Sequence, residues 1–160
     1  MARHMIIHDF RCELWLPLAP EELFPFFADA GNLDTITPPW LNFRIVTPKP
    51  IHMRPGTLID YALRVRGLPL RWRTLIKEWE PPIRFVDEQV RGPYRLWIHE
   101  HTFERHSGGT LAQDHVRYAV SFDWLVHRPF VRPDIERIFH YRQQALLERF
   151  RTSAQPPPNR

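Results

Sequence analysis

The chain has 160 residues, enough for one sizeable core and too few for two, since domains run most often to about 100–150 residues. Apolar residues at 43% and aromatics at 13%, with six Trp and eleven Phe, exclude a disordered chain. Lys and Arg number 22 against 18 Asp and Glu, a balance of only +4, and the Arg residues are scattered along nearly every segment instead of lining one face, which argues against a nucleic-acid binder.

From Ile6 to Leu16 the residues alternate in part, with Ile6, His8, Phe10, Cys12 and Leu14 on one side, and this predicts a first strand ended by Pro17 and Pro20. Pro20 to Ala28 opens with Pro and two Glu, as a helix N-terminus prefers, and Pro25 inside it predicts a short or bent helix. Asn32 to Thr37 reads as one more helical turn before Pro38 and Pro39 force an extended path into Trp40. Six strands are then predicted: Leu41 to Thr47, Thr57 to Arg66, Leu70 to Trp79, Phe85 to Arg91, Arg95 to Glu104 and Thr110 to Phe122. Their short Pro- and Gly-bearing links imply an antiparallel meander. A loop holding Pro129 is expected after Phe122, and Pro133 to Phe150 carries the strongest helical stripe, Ile135, Ile138, Phe139, Arg142, Ala145, Leu146 and Phe150. Residues 1–151 read as a single domain and 152–160, with three consecutive Pro, as a disordered tail.

Cys12 alone can form no internal disulfide, and Met5 to Phe10 is too interrupted for a secretory segment, so a cytoplasmic location is expected. No stretch approaches the roughly 20 apolar residues of a membrane span. On a strand, with no local His signature, Cys12 reads as a small buried apolar residue rather than a nucleophile.

A strand, two short helices, six strands and a long terminal helix make an order that resembles the helix-grip fold of the SRPBCC superfamily, which includes the START, birch-pollen-allergen-like and polyketide cyclase/dehydrase-like proteins. The segments PLAPEELFPFFADAGNLDTITPPWLNFRI and GTLIDYALRVRGLPLRWRTLIKEWEPPIRFVDEQVRGPYRLWIHEHTF, with the GGT at Gly108 to Thr110, carry the resemblance, which runs from about Ile6 to Phe150 and points to a bacterial branch of ligand-binding members. It implies an α+β fold, a curved antiparallel sheet of about seven strands around the C-terminal helix, and a cavity between them for a hydrophobic ligand. Some members carry out cyclase, dehydratase or hydrolase chemistry.

Strand alternation then selects the side chains that face the long helix. The inward sets are Ile59, Tyr61, Leu63 and Val65; Leu70, Trp72, Thr74 and Ile76; Phe85 and Gln89; Trp97, His99, His101 and Phe103; and Val116, Tyr118, Val120 and Phe122, with Asp114 at the entrance. The candidate ligand-binding residues are therefore Tyr61, Trp72, Gln89, Trp97, His99, His101, Tyr118, Phe139 and Arg142: aromatic walls with a few polar points. An inward guanidinium at Arg142 must meet a carboxylate, a ligand anion or water, or snorkel to a rim.

His99 and His101, two apart on a strand, can reach one ligand, but no close-spaced metal motif accompanies them, and neither a metal nor a cofactor is expected. The neighbours Asp87 and Glu88 point to opposite faces and read as a solvated or ion-paired couple. Two functions stay open: a binding protein for a small apolar or aromatic molecule such as a lipid, isoprenoid, quinone or polyketide, or a cofactor-free enzyme in which a pocket histidine moves a proton with Tyr61, Tyr118 or Asp114. Trp40, if exposed, would suit a homodimer contact.

Overall fold

A computed structural model describes residues 5–151; the tail expected to be disordered, 152–160, lies outside these residues. The chain runs β1 (His8–Leu16), α1 (Pro20–Ala28), two 3-10 turns (Ala30–Ile36 and Pro39–Leu41), β2 (Arg44–Ile45), β3 (Leu58–Val65), β4 (Leu68–Glu80), β5 (Arg84–Arg91), β6 (Leu96–His106), β7 (Gly109–Ala119), α2 (Asp123–Val126), a π-helical turn (His127–Val131) and α3 (Arg132–Arg151). The seven strands form one antiparallel sheet in the order β1-β7-β6-β5-β4-β3-β2. Consecutive strands from β2 to β7 are neighbours, and β1 closes the far side by pairing with β7, His8 opposite Tyr118 and Leu16 opposite Thr110.

Local chemistry accounts for the turns. Arg66 (φ 50°) and Gly67 (φ 81°) link β3 to β4, and Ser107 (φ 47°) and Gly108 (φ 75°) link β6 to β7; paired positive-φ residues match the twist of a tight hairpin. Gly109 is required for a different reason: a Cβ there would run into the Leu16 carbonyl oxygen where β1 meets β7. The start of α1 is held by the Glu22 carboxylate, which accepts from the Ala19 amide at 3.1 Å. Register shifts at Arg73/Thr74 and Ile76/Glu78 mark irregularities in β4, the kind of extra residue that bends a strand.

The concave side of the sheet carries the core. Leu16, Leu23, Phe24, Phe85, Phe103, Leu146 and Phe150 pack around α1 and the end of α3, while Val116, Tyr118, Ile135 and Phe139 pack at the other end of α3. The outer side is laced with ion pairs, Arg73 to Asp60 at 2.8 Å and Lys77 to Glu88 at 2.8 Å among them.

Three sequence expectations are corrected here. The strand expected over Leu41 to Thr47 shrinks to Arg44–Ile45, because Pro39 starts a 3-10 turn and Asn42 adopts a left-handed conformation (φ 44°). The last strand stops at Ala119, and Phe122, expected on its inner face, turns outward with φ 55° and is 67% exposed. The loop expected after Phe122 is helical: α2 and the π turn run directly into α3, and Pro129, which lacks an amide hydrogen, falls in the widened turn.

Candidate functional site

Between the concave sheet and α3 lies a cavity of about 420 Å3, within the range of small-molecule sites. Its walls are mostly aliphatic and aromatic, including Ile59, Tyr61, Leu63, Trp72, Trp97 and Phe139. Trp97 contacts Trp72 edge-on, with ring centroids 5.3 Å apart.

Strand pairing places a polar cluster in this apolar setting. His99 and His101 lie on the inner face of β6, and the register sets Asp87 of β5 opposite His99 and Asp114 of β7 opposite His101. Both histidines are buried, with rings 3.6 Å apart. His99 Nε2 is 2.7 Å from Asp114 Oδ1, and His101 Nε2 is 2.7 Å from Asp87 Oδ2. His101 Nδ1 also lies 3.2 Å from Asp114 Oδ1, whereas His99 Nδ1 is 3.9 Å from Asp87. A ring with carboxylate oxygens at both nitrogens must carry both protons, so this geometry makes His101 the imidazolium and His99 the neutral ring that donates through Nε2.

The electrostatics agree with that assignment. Burial lowers the pKa of His99, and the charge of His101 lowers it further, against the pull of Asp114. Burial also opposes charge on His101, but its hydrogen bonds to Asp114 and Asp87 outweigh this and raise its pKa. For Asp114 burial is likewise outweighed, by hydrogen bonds from His101 and His99, and its carboxyl is held well below the usual range; Asp87 is lowered in the same way. Cys12 Sγ lies 3.8 Å from Asp114 Oδ2, and burial with that neighbouring charge pushes its thiol up to about 12, which keeps it an inert thiol.

Arg142 reaches the cavity from α3, its guanidinium 5.9 Å from the Phe139 ring centre. It forms no ion pair among the described residues, and its buried Nε has no hydrogen-bond partner there. Its positive charge nevertheless lowers both Asp87 and Asp114. Two carboxylates, one imidazolium and one guanidinium sum to zero, so the polar wall of the cavity is balanced without a ligand charge.

Of the residues the sequence nominates, Tyr61, Trp72, Trp97, His99, His101, Phe139 and Arg142 line the cavity. Gln89 does not: its amide donates to the Tyr94 carbonyl at 2.7 Å and accepts from the Tyr94 amide at 3.2 Å, fixing the β5–β6 loop. Tyr118 also lies off the wall, packed in the core with its hydroxyl 2.9 Å from His127 Nε2. Asp87 is the member of the cluster that sequence reasoning passed over, whereas Asp114, expected at the entrance and as a possible partner of a pocket histidine, is found bonded to both imidazoles. Asp87 shares the parity of Phe85 and Asp114 that of Val116, so alternation alone carried the signal; the charge of Asp87 had assigned it to solvent. A second histidine-carboxylate group sits at the other end of β1, where His8 Nε2 is 2.7 Å from Asp123 and its ring stacks on His127 at 3.5 Å.

Residues 16–147 match the family described as polyketide cyclase / dehydrase and lipid transport. The chain belongs to this family. Through it the protein joins the SRPBCC superfamily, whose members are generally ligand-binding or cyclase/dehydrase-like. Solved structures agree on the fold. Protein CV1439 from Chromobacterium violaceum is similar with a TM-score of 0.69 at 15% identity, covering 89% of this chain and 96% of that one. TTHA0849 from Thermus thermophilus gives 0.67 at 18% identity over 92% and 100%. Ginseng major latex-like protein 151 from Panax ginseng gives 0.68 at 9% identity over 90% and 97%. Identities this low carry the fold alone. No curated protein matches the sequence.

Proposed function

We propose that this member of the polyketide cyclase / dehydrase family binds one small, neutral, largely apolar molecule, aromatic or isoprenoid in character and bearing a carbonyl or hydroxyl oxygen, as in a quinone or polyketide. The carrying observation is Arg142, whose side chain lines an apolar cavity of about 420 Å3 with no ion-pair partner among the described residues. A donor left unpaired in an apolar site costs about 1–3 kcal/mol, and a ligand oxygen accepting from that guanidinium recovers the loss. Charge neutrality of the wall favours an uncharged ligand, because a bare anion would leave excess charge in a low-dielectric site. The aromatic rings of Trp72 and Trp97 supply faces for a flat molecule.

Native mass spectrometry of the purified protein, followed by titration of its tryptophan fluorescence with 1,4-naphthoquinone, tests the reading. A retained small molecule or saturable quenching is expected, weakened about tenfold in Arg142→Met by loss of one charge-assisted hydrogen bond. An empty protein that no member of a quinone and polyketide panel quenches would overturn it.

A second reading is favoured by the histidine pair. Two rings in contact whose environments push their pKa values in opposite directions are an acid and a base side by side. In that reading the cavity ligand is a substrate, and His99→Ala abolishes turnover while its binding persists. In a carrier the same variant changes affinity only.

A further inference from the structure

The end of the molecule where the cavity meets α2 exposes an apolar surface that the core does not explain. Trp124 is 80% exposed, Phe122 67%, Leu125 54% and Phe130 45%, all within nine consecutive residues. Two other chain segments are drawn to the same place. The β3–β4 hairpin, with Leu68 67% exposed at its tip, is tied to the π turn because Arg66 lies 4.9 Å over the Phe130 ring and bonds to Asp134 at 2.9 Å. The start of the chain is tied there by His8 and Asp123, which sets the exposed Ile6 and Ile7 beside α2. Contiguous exposed apolar surface of this kind marks an interaction site.

The charges around it have one sign to spare. Asp123 is engaged by His8, Asp134 by Arg66 and Glu136 by Arg132, whereas Arg64 and Arg128 are exposed with no carboxylate partner among the described residues. Protruding Trp, Phe and Leu side chains interspersed with free arginines are what an anionic lipid interface accepts: rings enter the headgroup boundary and guanidiniums meet phosphate. The same end holds the way in, since Pro93 and Ser121, both exposed, also line the cavity, and so do Val126 and Val131 on the inner side of the α2 and π-turn segment.

We infer that the α2 and π-turn segment, with the β3–β4 hairpin tip, is a docking surface for an anionic lipid bilayer, from which the cavity takes up its apolar ligand. The choice of a bilayer over a protein partner rests on the ligand-binding reading above, together with the unpaired arginines. No helix among the described residues is long and apolar enough to cross a membrane, so the contact is peripheral.

Flotation with vesicles of phosphatidylcholine alone and of phosphatidylcholine mixed with phosphatidylglycerol tests this, alongside light scattering and native mass spectrometry. The wild-type protein is expected to float with the mixed vesicles, to float less with phosphatidylcholine alone, and to be released by added salt. The double variant Trp124→Ser/Leu125→Ser is expected to lose roughly tenfold in vesicle partitioning while keeping its near-ultraviolet circular dichroism and its retained small molecule. A wild-type protein that stays with neither vesicle, or a double variant that floats equally well, overturns the docking surface; so does a wild-type dimer that the double variant dissociates, which would assign the patch to a second copy. Flotation by a wild-type protein that retains no small molecule and that no member of the quinone and polyketide panel quenches overturns the ligand-binding reading and leaves the docking surface supported.

Discussion

Asp114 accepts from two imidazoles at once, and removing its charge tests the whole cluster. Asp114→Asn leaves the charged His101 with one carboxylate in a buried site, a change that costs about 3 kcal/mol near neutral pH. The pH dependence follows from the directions of the shifts. Asp114 is more acidic folded than unfolded, so its contribution is complete above the ordinary value of 3.8 and disappears as pH falls through the lower folded value. The difference between wild type and variant in urea denaturation should therefore narrow steadily below pH 3.8. His101 runs the other way: its raised pKa stabilises the fold fully below 6.5, and the contribution is lost as pH rises through the folded value. In an NMR titration His101 should remain charged at pH 6.5 while His99 is already neutral; the reverse order would contradict the assignment. Much of this was legible beforehand. Period-two alternation set His99 and His101 beside Trp97 on the inner face, and helical spacing set Arg142 opposite them. It nominated Asp114 but not Asp87, because a side chain's charge argues for solvent until a cross-strand partner is known, and pairing register is a non-local property.

Helix α3 illustrates which elements a sequence announces. Its buried positions, Ile135, Phe139, Leu146 and Phe150, repeat at helical spacing, and the structure keeps them all inside. Leu146 packs in the core around α1 and does not itself line the cavity, whereas Phe139 both packs in the core at the other end of the helix and lines the cavity. Leu146→Ala should therefore lower the unfolding free energy by about 2–5 kcal/mol and leave ligand retention unchanged, as measured by denaturation and native mass spectrometry on one sample. Elements fixed by local punctuation were also legible: Pro20 and the two Glu marked α1 to the residue, and Gly67 and Gly108 marked their hairpins. The segment from Phe122 to Val131 was not. Its prolines read as loop, and the turns are held in part by a long-range tie, His8 to Asp123, that no window of sequence contains.

At the scale of the molecule, the meander from β2 to β7 makes most pairings local, and β1 makes one that is not. Closing a loop of that length before its contacts are rewarded slows the search. Refolding followed by tryptophan fluorescence in a stopped-flow instrument should fall in the millisecond-to-second range; a microsecond phase accounting for the whole signal would contradict this view. The short links between strands already implied the meander, and the family resemblance implied the curved sheet around the terminal helix; the pairing of β1 with β7 was read from neither.

The partner of the first strand is made last among the strands. During synthesis the backbone donors and acceptors of His8 to Leu16 have no native ladder to join until Gly109 to Ala119 has emerged, and the lid over the sheet, Arg132 to Arg151, comes later still. A ribosome carrying two thirds of this chain therefore displays an open strand edge and an uncovered apolar floor, both adhesive. Chaperone dependence, if measured against nascent-chain length, should peak before residue 109 and collapse once the terminal helix is free of the exit tunnel.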